Sequence, residues 1–78
     1  MIGYNDMMET IAITTEFIRL QDLLKLAGLT ATGGEAKMLV QDGQASVNGQ
    51  TCTQRGKKLR PGDTVQFRGR ELQVIYAP

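Results

Sequence analysis

Histidine and tryptophan are absent from this 78-residue chain, and cysteine occurs once, at Cys52. A lone cysteine cannot close an intramolecular disulfide. Without histidine or further cysteines there is also no ligand set for a structural zinc. The missing histidines remove the side chain best suited to proton transfer near neutral pH. Long apolar runs are missing too: the longest, Val74-Ile75-Tyr76-Ala77, is far short of a membrane span. No basic stretch followed by an apolar one opens the chain, so no secretory signal is legible and a cytoplasmic location is expected.

What is present suffices for one small domain with a modest core, since 41% of the residues are apolar. Residues 1–9 carry little periodicity and are expected to form a flexible N-terminal tail, with residues 10–78 as the single domain. The net charge of +1 hides a segregation. Residues 1–24 set Asp6, Glu9, Glu16 and Asp22 against Arg19 alone, a net −3. Residues 25–78 set eight basic side chains against Glu35, Asp42, Asp63 and Glu71, a net +4. Between positions 53 and 70 stand six cations and one acid. Such a run fits either a polyanionic partner or a solvated loop.

Thr10-Ile11-Ala12-Ile13-Thr14 alternates and is rich in β-branched residues, which predicts a strand. From Leu20 the period changes. Leu20, Leu23, Leu24 and Ala27 share one helical face, and Gly28 stands where the helix would stop. Thr32-Gly33-Gly34-Glu35 fits a capping box. A second helix follows, burying Ala36, Leu39 and Val40 and ending at Gly43. Its opposite face carries Gly34, Lys37 and Gln41. Beyond it, Ala45-Ser46-Val47 leads into Asn48-Gly49, the strongest hairpin signal in the chain. Pro61-Gly62-Asp63 and Arg68-Gly69-Arg70 mark turns around Thr64–Phe67, and Leu72-Gln73-Val74 alternates again. The coarse order is β-α-α-β-β-β-β. The expected class is α+β, with two N-terminal helices packed on a small, mainly antiparallel β-sheet.

Enzyme chemistry finds no support. Asp22, Glu35, Asp42 and Asp63 read as surface, cap, helix-end and turn residues, and no two acids are spaced as an acid–base pair. Gly33-Gly34 lacks the Gly-Lys-Ser/Thr ending of a phosphate-binding P-loop. No catalytic residue, cofactor, metal or small-molecule substrate is expected. Two features instead point toward an anion. Gly33 and Gly34 leave the N–H groups at the start of the second helix unshielded, although easing a tight inter-helix turn also explains them. Arg55-Gly56-Lys57-Lys58-Leu59-Arg60 places four cations around one apolar residue, and Leu59 should anchor the run in the core.

Arg19-Leu20-Gln21-Asp22-Leu23-Leu24, Gly28, Thr32, Ala36-Lys37, Gly43 and Val47-Asn48-Gly49 together resemble the S-four-like RNA-binding domain, or αL motif. Leu59, Pro61-Gly62-Asp63 and Val65 resemble its closing strands. The likeness runs from Arg19 to about Phe67 and is nearest to the short stand-alone bacterial members of the family. It implies a non-catalytic module that binds structured RNA, ribosomal or transfer, through the two helices and neighbouring loops. Gln21 departs from the family's aspartate, and Gly33 stands where the broad family has an RNA-facing arginine. Lys37 keeps the family's basic position, while Asp42 nearby opposes an anion. The expected RNA-binding set is Lys25, Gly33, Gly34, Lys37, Gln41, Arg55, Lys57, Lys58 and Arg60.

None of Tyr4, Phe17, Phe67 and Tyr76 is expected among these cations, so no platform for stacking unpaired bases is expected. Recognition should run through backbone and shape. A monomer is expected, since nothing in the chain demands pairing. Pieces of the chain, Val47-Asn48-Gly49 and Leu59-Arg60-Pro61-Gly62-Asp63, also resemble β-grasp sulfur carriers. The ending Tyr76-Ala77-Pro78 lacks their Gly-Gly tail, so the alternative is a protein-docking module without carrier chemistry. A structural subunit whose basic loop meets an acidic protein is a third reading.

Overall fold

A computed structural model describes residues 8–78. The expected flexible tail falls, for residues 1–7, outside the described residues; Met8 and Glu9 belong to the first strand. The elements are β1 (Met8–Ile13), β2 (Ile18–Arg19), α1 (Leu20–Leu26), α2 (Gly33–Gln41), β3 (Ala45–Val47), β4 (Gln50–Thr51), β5 (Lys58–Leu59), β6 (Thr64–Phe67) and β7 (Arg70–Tyr76). Five strands form one sheet in the order β1-β7-β6-β3-β4, and β2 and β5 form a separate two-stranded ribbon.

The expected architecture needs correction here. The helices do not open the fold, because β1 and β2 precede them. The main sheet is mixed, since β1 runs parallel to β7 from Met8 opposite Glu71 to Ile13 opposite Tyr76. The physical reason lies in the two segments themselves. They are the two longest strands, of six and seven residues, and the intervening chain provides the long crossover that a parallel pair requires. The remaining pairs, β6 with β7, β3 with β6 and β3 with β4, are antiparallel.

The helices end where the glycines stand. Gly28 at φ 75° and Gly43 at φ 82° take the left-handed conformation that L side chains resist. At each, two backbone bonds close the last turn: Gly28 N–H to Lys25 and Leu29 N–H to Leu24, then Gly43 N–H to Val40 and Gln44 N–H to Leu39. Asn48 and Gly49, both at positive φ, form the two-residue turn between β3 and β4.

The core lies between the helix pair and one face of the sheet. Leu20, Leu23 and Leu24 of α1, Ala36 and Val40 of α2, and Ala45, Val65, Leu72 and Val74 of the sheet are fully buried. Ala27 and Leu39, expected on the buried stripes, are partly buried against this cluster. Leu59 is also fully buried, as the sequence predicts for the anchor of the basic run. No helix among the described residues is long and apolar enough to cross a membrane.

Candidate nucleic-acid interface

The first helix lacks a side-chain cap: its N-cap residue, Arg19, makes none. An uncapped first turn leaves backbone donors without partners. Here they are satisfied from across the chain. Leu20 N–H donates to the Lys57 carbonyl at 2.9 Å and Gln21 N–H to the Arg55 carbonyl at 3.0 Å. The segment joining β4 to β5 is therefore fastened to α1 through its backbone, while the side chains of Arg55 and Lys57 stay exposed. Just beyond, β5 pairs with β2, Leu59 opposite Ile18 and Lys58 opposite Arg19. Leu59 and Ile18 turn toward the core, and Lys58 and Arg19 turn outward.

Arg60 is held by the following turn. Its backbone N–H donates to Asp63 Oδ2 at 2.8 Å, and Asp63 Oδ1 accepts from Asn48 Nδ2 at 3.2 Å. Asn48 Oδ1 in turn accepts from Thr64 N–H at 2.9 Å. The tip of the β3–β4 hairpin and the turn after β5 are thus tied together. Beside them an open cleft of about 530 Å³ is lined by Asn48, Gln50, Thr51, Cys52, Gln54 and Lys57, mostly amides and hydroxyls.

The nine sequence-predicted residues fall into two groups. Arg55, Lys57, Lys58 and Arg60 gather near the start of α1. Gly33, Gly34, Lys37 and Gln41 lie along α2, with Lys25 in the last turn of α1. All are exposed except Gly33, which is half-buried. At the start of α2, Thr32 Oγ1 accepts from Glu35 N–H at 3.1 Å, and Glu35 Oε1 accepts from Ala31 N–H at 2.7 Å. The carboxylate reaches one residue further back than a standard capping box. It places a negative charge at the helix end where an anion was expected, which opposes phosphate there.

Two cations of the basic run stand apart. Arg68 occupies the β6–β7 turn, at the other end of β6 from Asp63. Arg70 pairs with Glu9 across β7 and β1, and this bond holds the Glu9 carboxyl below the usual glutamate range. None of the other basic side chains makes an ion pair among the described residues.

Sequence reasoning missed two residues of this surface, and one expectation is overturned. Lys58 Nζ lies 4.8 Å and Arg19 Cζ 5.7 Å from the centre of the Phe17 ring. Both are within cation–π range. An aromatic ring does stand among the cations. The β2–β5 pairing assembles it from segments some forty residues apart, and two-residue strands carry no period to reveal them.

The chain is 40% identical over 58 residues to YbcJ of Escherichia coli (strain K12), covering 74% of this chain and 83% of that protein. The solution structure of YbcJ, described as revealing an αL motif involved in RNA binding, matches with a TM-score of 0.66 and 32% identity, over 96% of this chain and 94% of that one. RlbA of Bacillus subtilis (strain 168), named a probable ribosome maturation protein, is 40% identical over 63 residues, 81% of this chain and 89% of that protein. The small ribosomal subunit protein uS4 of Rhodopirellula baltica is 38% identical over 59 residues, 74% of this chain but only 29% of that protein. The family model for the S4 domain matches residues 11–75, and with those residues accounting for most of the fold, the chain belongs to the S4 domain family.

Proposed function

We propose that this chain is a non-catalytic, cytoplasmic RNA-binding module that holds structured RNA by its backbone and shape, with ribosomal or transfer RNA as the target class. The observation that carries this reading is the fastening of the basic segment to α1 through the carbonyls of Arg55 and Lys57. That arrangement spends the backbone on the fold and leaves the Arg55, Lys57, Lys58 and Arg60 side chains free for phosphates. Cations held on a fixed frame favour one spacing of phosphates over others, which is how shape recognition works without base contacts. Lys25, Lys37 and Gln41 extend the surface along the helix pair. The relatedness to YbcJ, RlbA and uS4 supports the RNA class.

The test is binding to a folded ribosomal RNA fragment and to a length-matched DNA duplex across a salt series. Wild type is compared with a variant in which Arg55, Lys57, Lys58 and Arg60 are all alanine. Preference for RNA, with log affinity falling at a slope of about −3 to −5 against log salt in wild type and more gently in the variant, supports the reading. Equal binding of RNA and DNA, or wild type and variant alike, overturns it.

A further inference from the structure

We infer that Phe17, with Arg19 and Lys58, forms a stacking step for an unpaired RNA base at the edge of the proposed RNA-binding surface. This inference rests on that RNA-binding reading and adds a single-stranded element to its substrate class. Three observations carry it. Phe17 is only partly buried and is not among the side chains packed on the core, so the fold's interior does not account for it. Thr15 Oγ1 donates to the Phe17 carbonyl at 2.9 Å, which fixes the backbone that presents the ring.

The charges around it point the same way. Arg19 and Lys58 sit directly opposite each other on the ribbon, an arrangement that is destabilising for like charges. Neither has an acidic partner among the described residues. Two cations beside one partly exposed ring lack an ion-pair partner among the described residues. A nucleotide supplies both missing parts: its base stacks on the ring, and its flanking phosphates take the cations. A protein carboxylate would meet only the second need.

The chain has no tryptophan, so Phe17→Trp introduces a single indole reporter, excited selectively at wavelengths where the two tyrosines do not absorb. Its emission is followed while end-labelled short oligoadenylate, or a blunt RNA hairpin, is titrated and binding is read in parallel by anisotropy. The expected result is saturable quenching by the single strand, with little change on the hairpin. Phe17→Leu keeps an apolar side chain without a ring face. It should bind the single strand roughly tenfold more weakly and the hairpin within about twofold of wild type. Anisotropy that reports binding without quenching, or Phe17→Leu with wild-type affinity for the single strand, overturns the stacking step and leaves the broader reading standing. Absence of binding to either RNA removes both.

Discussion

Helices α1 and α2 meet the same need at their N-termini, unpaired backbone donors, with partners of opposite origin. The second helix uses its own neighbours: the Thr32 hydroxyl accepts from Glu35 N–H and the Glu35 carboxylate from Ala31 N–H. The first uses carbonyls of Arg55 and Lys57, more than thirty residues away. A local cap stabilises a helix and does little else. A distant one also decides where the accepting segment lies, and here that segment is the most basic of the chain. The difference separates what holds the fold from what arranges the charge.

The most damaging way to break this comparison is Leu59→Ala. It empties a fully buried site beneath the basic ribbon and should lower the urea-derived stability by about 2–5 kcal/mol. Replacing Arg55, Lys57, Lys58 and Arg60 together by alanine cuts along the other line. The carbonyls that cap α1 remain, so the unfolding midpoint should stay close to wild type. The dependence of log affinity on log salt should become shallower by about 3. Thr32→Ala removes only the local cap. It should cost about 1 kcal/mol, a fall of roughly 4–8 °C in Tm, with RNA affinity unchanged.

Glu9→Gln, remote from both helix ends, sharpens the comparison by serving as its control. The hydrogen bond from Arg70 keeps the Glu9 carboxyl below the ordinary glutamate range. The contribution of that pair is therefore complete above the ordinary range and is lost as pH falls through the lowered one. Thermal melts should show a small deficit for the variant at neutral pH that vanishes in acid.

The same division explains what could be read from the residues alone. Thr32 with Glu35, Gly28, Gly43 and Asn48-Gly49 are local signals, and each marks the feature it predicts. The anchoring of Leu59 was legible because one apolar residue among cations has few other uses. The β2–β5 ribbon was not, since two residues set no period and their pairing depends on partners far along the chain. Phe17 was misjudged for that reason: it is distant from Lys58 in sequence and adjacent in space. The parallel seating of β1 was equally hidden. Alternation in Thr10–Ile13 signals a strand but says nothing of its neighbour or direction.

That parallel pairing has a consequence for how the molecule forms. As the chain leaves the ribosome, β1 emerges early and waits for β7, which completes the edge of the sheet only after almost everything between them has been made. Contacts so distant in sequence carry a large loop-closure cost before they return any stabilisation, so joining β1 to β7 is the natural slow step of folding. Until β7 is in place, the flank of β6 away from β3 and the whole of β1 are bare. Nascent chains stalled before β7 are accordingly the form of this protein most exposed to aggregation.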